Sequence, residues 1–486
     1  MVLPRRRSNR FSFAKFRNNK ESILINKKLM AVAVAGAIGA PGLAFAQAAN
    51  VNIYGHLDGS WRTSRYTSNA AGTNAAQTKQ QLQFAAPRWG LRGSEDLGGG
   101  LTAYFQLESG MNPDGRPITT DGNIGVLGGR DSYLGVRSTQ WGALQIGGFS
   151  TAYSNIAGVW GAVPTYGHAQ IIMGNTDTTG TAPNPNCNAS VVGPTGAAVV
   201  TVTPVVSVLG SVPTTAAISC AGQVEGNATS FHRRTSNSIE YATPNFSGFV
   251  GKIGTAAPEN AEPTSSTPAG GTRFNPKHWS YNLIWSGGPF SAGIGYETHV
   301  GFRAANANAV AGGLKRDAKD KGTTLGGKWN YGQGEVGIGW ERLKYENTNS
   351  VTTTAANNND FTLTNWVLNG NYKITAAGTI SAGYSKTPGR KSCGSGLTDA
   401  AGTCGSSTGA KMLSLTYDHS LSKRTGLYAA YGKITNNGIT TAAGAAAGAT
   451  YNYIAPPLSN GGAGAIGGVQ AGTNITTYAF GMKHNF

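Results

Sequence analysis

From Val51 to Phe486 this chain alternates apolar and polar side chains with a period of two, in short segments that recur to its end. Val51, Ile53, Leu57 and Trp61 share one parity, and Asn52, His56, Asp58, Ser60 and Arg62 share the other. Leu101, Ala103, Phe105 and Leu107 oppose Thr102, Gln106 and Glu108, and Trp279, Tyr281, Leu283 and Trp285 oppose Ser280 and Asn282. Such runs read as strands with one apolar face. Beyond the first 46 residues nothing approaches the ~18 consecutive apolar residues of a membrane-crossing helix.

A soluble β-sandwich would alternate in the same way, so the connections carry the discrimination. Tight turns (Ser94–Gly98, Thr139–Gly142, Thr243–Ser247, Tyr331–Gly334) alternate with long polar loops at roughly 63–78, 112–129, 151–232, 258–276, 300–320, 346–360, 388–408 and 436–471. Short turns on one side and long loops on the other are the pattern of outer-membrane barrels. Eight long loops imply sixteen antiparallel strands, the second predicted at 80–93, the fourth at 130–138 and the last at 473–486. Closure is obligatory in that setting, because hydrocarbon offers an open sheet edge no hydrogen-bond partner. Tyr241, Trp329, Trp340, Trp366 and Tyr372 fall toward predicted strand ends, as interfacial aromatic girdles would.

Residues 1–46 read as an export signal. Nine basic residues from Arg5 to Lys28 precede an apolar stretch, Leu29–Ala40, and Ala44-Phe45-Ala46 gives the small-x-small pattern before a cut after Ala46. The basic region is long for a leader, which leaves the true translation start open to a downstream position. The predicted organisation is therefore a cleaved signal at 1–46 and one barrel domain at 47–486, with a third loop at about 151–232 carrying an insert at about 175–225. The formal charge of +17 falls to about +9 once the leader, with its nine bases and single acid, is removed. Charged residues are only 13% of the chain, well below the ~25% of soluble domains. Export, and basic residues that form no single run, argue against a nucleic-acid partner. In an exported chain the four cysteines suggest nearest-neighbour disulfides, Cys187–Cys220 and Cys393–Cys404.

Several stretches resemble the Gram-negative general porin family, especially its β-proteobacterial branch. Val51-Asn52-Ile53-Tyr54-Gly55-His56-Leu57-Asp58-Gly59 looks like that branch's opening strand. Arg88-Trp89-Gly90-Leu91-Arg92-Gly93-Ser94-Glu95-Asp96-Leu97-Gly98-Gly99-Gly100-Leu101, running on to Gly110, is the most specific match. Arg130–Gly148, Asn237–Phe249 and Leu421–Gly432 resemble later hairpins, and the chain ends on Gly481-Met482-Lys483-His484-Asn485-Phe486. The resemblance implies a homotrimeric, sixteen-stranded transmembrane barrel in the outer membrane, with short periplasmic turns, long extracellular loops and the third loop folded into the lumen. It also implies contact with outer-membrane lipid and lipopolysaccharide, and a terminal strand, with Phe480 and Phe486 on one parity, that is read by the outer-membrane assembly machinery.

By the same resemblance the lumen narrows where wall arginines face the third loop. Arg88 and Arg130 match the family's positions. Arg92 shares the parity of Arg88, and Arg233 and Arg234 precede the sixth strand, with the choice between them left open. The family's basic residue after the fifth strand is absent, since Gly147-Gly148-Phe149 stands there. Tyr153–Met173, the part of the loop expected at the constriction, contains no acid but carries Trp160, Tyr166 and His168 as lumen candidates. Arginines without facing carboxylates imply net positive potential, hence anion preference.

No enzyme signature or cofactor site competes. The seven histidines show no metal-binding spacing, Gly98-Gly99-Gly100 lacks the lysine of a phosphate loop, and no Gly-x-Ser-x-Gly occurs. The expected function is passive diffusion of small hydrophilic solutes and ions through the barrel. The alternatives are a barrel with a largely blocked lumen acting as an adhesin or structural protein, which the long third loop would allow, and a soluble secreted β-sandwich enzyme.

Overall fold

A computed structural model describes residues 50–67, 76–111, 113, 127–160, 231–232, 234–257, 277–300, 319–346, 360–394, 400, 404–440, 446–448 and 472–486. Its strands are β1 (Asn50–Tyr66), β2 (Gln77–Phe84), β3 (Arg88–Gly98), β4 (Leu101–Gly110), β5 (Ser132–Ser138), β6 (Gly142–Ser150), β7 (Arg234–Ala242), β8 (Phe249–Ala256), β9 (Lys277–Gly287) and β10 (Phe290–Val300). They continue as β11 (Lys319–Asn330), β12 (Gly334–Glu346), β13 (Phe361–Lys373), β14 (Gly378–Thr387), β15 (Ala410–Ser420), β16 (Thr425–Asn436), a small hairpin of β17 (Gly438–Thr440) and β18 (Ala446–Gly448), and β19 (Ile475–Asn485).

Each wall strand pairs antiparallel with its sequence neighbours, and β19 pairs with both β16 and β1, so the sheet closes on itself. With β2 and β3 counted as halves of one strand, the barrel has sixteen strands. That split departs from the continuous strand expected at 80–93. Pro87 has no N–H to give the ladder, Ala86 is left-handed (φ 45°), and the chain re-enters the sheet at Arg88. β1 absorbs the break by pairing Gly59–Tyr66 with β2 and Asn50–His56 with β3. The first turn also sits later than its acidic residues suggest. β3 runs through Glu95 and Asp96, and Gly98, Gly99 and Gly100 make the reversal, all with positive φ, while the Asp96 carboxylate accepts the Gly98 N–H at 2.9 Å.

The period of two appears in three dimensions as two contrasting faces. Outward residues form an apolar band, including Ile53, Trp61, Leu134, Ile146, Leu283, Ile294, Ile338, Leu368, Leu415 and Phe480, all exposed on the isolated chain. Aromatics bound this band: Phe290 and Tyr296 on β10, Trp366 and Tyr372 on β13. Trp366 to Tyr372 spans about 20 Å at ~3.3 Å per residue, close to the hydrophobic height of such a wall. Trp340 and Trp366 stand opposite one another within long strands, not at their ends. Beyond Trp340, β12 turns outward-facing Arg342 and Lys344 to solvent, so the strand outlasts the band. Among the described residues no helix is long and apolar enough to cross a membrane.

The inner face is polar on most strands but apolar at one place. Leu343, Tyr345, Phe361, Leu363 and Val367, on β12 and β13, point inward and are buried. What covers them is the third loop.

Candidate functional site

Immediately after β6 the chain turns into the barrel and forms a short 3-10 helix, Ser154–Gly158. It lies against β9, β10 and β11, where the inner face is nearly bare. Gly293 and Gly295 on β10 and Gly326 on β11 give Ile156 its berth: a Cβ on Gly295 would stand 2.9 Å from Ile156 Cγ1. On β12, a Cβ at Gly339 would fall 2.4 Å from Trp160 Cε3. The missing side chains are the groove in which the loop rests.

Both limbs of the loop converge on one carboxylate. Glu341 of β12 accepts from the Tyr153 hydroxyl (2.8 Å) and from Asn365 Nδ2 (2.9 Å), and His232 Nε2 of the returning limb lies 2.7 Å from Glu341 Oε2. The Tyr153 N–H donates to Ser280 Oγ (2.8 Å), and Asn282 Nδ2 donates to the Ala152 carbonyl (2.6 Å). Burial, reinforced by the adjacent Glu341 charge, holds the Tyr153 phenol well above its ordinary pKa, so it stays a donor. Phe231 packs with Tyr153, Tyr345 and Leu343. The loop at 388–408 leans on the same cluster: Cys393 and Cys404 are disulfide-bonded (Cα–Cα 6.3 Å) and pack against it, while buried Arg390 lies 4.7 Å over the Phe361 ring.

On the other side of the lumen a basic arc climbs from β3 to β7. Arg88 and Arg92 face inward, as the outward turn of Trp89 between them requires. Arg92 stacks on the Tyr54 ring at 5.0 Å, and Tyr54 donates to Glu108 Oε2 at 2.9 Å. Arg130 Nε donates to Glu108 Oε1 at 2.6 Å, and Arg88 Nε is 3.8 Å from Oε2. Arg130 does not belong to a strand: β5 begins at Ser132, two residues after it, so outward Leu134 says nothing about its direction. Its N–H is fixed to the Glu108 carbonyl at 3.0 Å. Arg234 opens β7 and pairs with Asp131. Glu240 further along β7 and Lys252 on β8 satisfy each other at 2.9 Å. Among the described residues the arc therefore holds four guanidinium groups and two carboxylates, a surplus of two positive charges.

Two expectations about the loop change. Arg88, Arg130 and Arg234 do meet carboxylates, and among the described residues these come from the wall (Glu108) and from the residue beside Arg130 (Asp131). Trp160 is not a lumen residue: it is fully buried between the loop, Gly339, Val367 and His232, and anchors the loop to the wall. Tyr166, His168, Arg233, Cys187 and Cys220 lie outside the described residues.

At the seam, Phe480 projects outward opposite Trp61, and Phe486 hydrogen-bonds Gly55 in both directions, at 3.0 and 3.1 Å. The Phe486 ring covers Gly55 so closely that a Cβ there would lie 2.1 Å from its Cζ.

A closed sixteen-stranded wall with an inward third loop narrows the possibilities to one architecture, and the sequence comparison decides it. Residues 31–439 match the family model for Gram-negative porins. The chain belongs to the Gram-negative porin family. This porin is 34% identical over 165 residues to an outer membrane porin protein of Bordetella pertussis, a match covering 31% of this chain and 40% of that relative. Among solved structures it is similar to an anion-selective porin from Comamonas acidovorans (20% identity, TM-score 0.53, 90% of this chain and 100% of that one). It is also similar to OmpT of Vibrio cholerae (12% identity, TM-score 0.51, 91% and 99%). At those identities the likeness is one of fold.

Proposed function

We propose that this porin conducts small hydrophilic solutes and ions by passive diffusion and prefers anions. The observation that carries the reading is the arc of Arg88, Arg92, Arg130 and Arg234. It holds more positive charge than Glu108 and Asp131 neutralise, and no acid occurs in the described part of the loop opposite, 151–160 and 231–232. A charge surplus at a narrow place raises the local concentration of counter-ions and sets selectivity. The neighbour from Comamonas acidovorans bears the description anion-selective, which agrees.

Around that core stand the finer readings. The chain is exported with a signal cut after Ala46, forms a homotrimer in lipid and lipopolysaccharide, and enters the membrane through the assembly machinery that reads Phe486. Among the described residues no set supports covalent chemistry, and the barrel acts as a channel, not an enzyme. Planar-bilayer recording across a KCl gradient tests the reading. A reversal potential on the chloride side supports it. Potassium preference refutes the charge assignment, and absence of unitary conductance leaves a barrel closed by its third loop.

A further inference from the structure

Two of the seven histidines, which show no metal-binding spacing along the chain, meet in space. His278 on β9 stands directly opposite His299 on β10, and His299 directly opposite Asp320 on β11. Glu297, two residues before His299, shares its inward face. The register thus gathers onto one patch of wall groups that the sequence separates. His278 Nε2 and His299 Nε2 both point at Glu297 Oε1, at 3.3 and 2.7 Å. The donor atoms of His278, Glu297 and His299 all lie within 4.8 Å of one another, and all three side chains are buried. Glu297 Oε2 is buried too and has no hydrogen-bond partner among the described residues. The Phe231 ring stacks on His299 at 4.8 Å and closes the patch from the lumen. The basic arc on the far wall uses none of these residues.

We infer that His278, Glu297 and His299 form a binding site for a divalent transition-metal ion of the zinc class, in the barrel wall beneath the third loop. Two imidazoles and a carboxylate are a nitrogen-rich, borderline donor set, suited to zinc and poorly matched to magnesium or calcium, which take oxygen. Tetrahedral zinc at ~2.0–2.1 Å per ligand sets donor atoms about 3.4 Å apart. The His278–Glu297 separation of 3.3 Å nearly equals that value, the His299–Glu297 separation of 2.7 Å is shorter and must open slightly, and the widest pair needs to close by about 1.5 Å at most, a small side-chain rotation. His299 Nδ1 is 3.9 Å from Asp320 Oδ2, where a carboxylate would hold the Nδ1–H tautomer and leave Nε2 for the metal. Glu297 Oε2 or a water completes the coordination. The inference is independent of ion preference.

The test uses the full-length barrel in detergent, stripped with EDTA and titrated with zinc chloride. One zinc per chain, retained through gel filtration and not displaced by a hundredfold excess of magnesium, is the expected result. His278→Gln and His299→Gln should each weaken binding by at least about a hundredfold, and Asp320→Asn by about 10–100-fold. Zinc retention by the wild type no greater than by the His278→Gln/His299→Gln double variant overturns the proposal. Should that variant not fold, cobalt(II) added to the wild type decides: a visible d–d band abolished by zinc supports the site, and no band overturns it.

Discussion

Removing the charge of Arg130 and removing that of Glu108 should move ion selectivity in opposite directions. The two groups are hydrogen-bonded at 2.6 Å, so an ion passing the arc meets both at nearly the same range. Arg130→Gln lowers the surplus from two positive charges to one, and Glu108→Gln raises it to three. One unit charge about 6 Å from a passing ion is worth about 0.7 kcal/mol in a water-like dielectric. Screening at 0.1 M salt, with a Debye length of ~10 Å, reduces this to about 0.4 kcal/mol. Because anion and cation respond with opposite sign, the chloride-to-potassium permeability ratio should change by about three- to tenfold per charge: down for Arg130→Gln, up for Glu108→Gln. The assay is the reversal potential of single channels in a tenfold KCl gradient, repeated at high salt, where both shifts should shrink. If the two variants shift the reversal potential in the same direction, or neither shifts it, the arc does not border the conducting path.

Glu341→Ala strands the Tyr153 hydroxyl, His232 and Asn365. With each bond to a charged acceptor worth ~1.5–3 kcal/mol, the loop should come away from the wall and become cleavable by protease in the folded barrel. Gly339→Val fills the berth of Trp160 and should cost about 1–3 kcal/mol of loop docking, read as noisier single-channel current. Cys393→Ser with Cys404→Ser opens a ring of about twelve residues worth ~3 kcal/mol in chain entropy, and should lower the temperature at which the barrel unfolds on a heat-modifiability gel. Gly55→Val displaces the Phe486 ring and should reduce the yield of heat-modifiable barrel on refolding into detergent, while Gly327→Val, at an open outward position, should not.

The barrel was legible because its rule is local: outward and inward alternate on every strand, and tight turns alternate with long loops. The break at Pro87 was legible in principle, since a proline inside a predicted strand removes a ladder donor, but a strong motif spanning it favoured continuity. The inward arginines followed from parity wherever a strand carried them, as at Arg88 and Arg92. Arg130 did not, because it precedes its strand and is aimed by a hydrogen bond to Glu108, which no periodicity records. Glu108 sits on the polar parity of its strand, so the wall's own supply of acid is as local a signal as its arginines. Glu341 and the His278–Glu297–His299 group were not legible. Their meeting depends on the register across the β9–β10 hairpin, which joins residues about twenty positions apart, and on which inner-wall residues the third loop covers. The one hint was compositional: the inward parity of β12 and β13 turns apolar at Leu343, Tyr345, Phe361 and Leu363, which only a covering segment explains.

The join between β1 and β19 ties together residues as far apart as His56 and Asn485, separated by 429 positions. Every other wall pairing joins neighbours in sequence and can form as the chain emerges, whereas this one must wait for both ends. Until it forms, the growing sheet carries two raw margins of unsatisfied N–H and C=O groups, each able to recruit a strand from another molecule. Such a chain needs a host for those margins throughout its assembly, and losing a few residues at either margin would leave a curled ribbon in place of a channel.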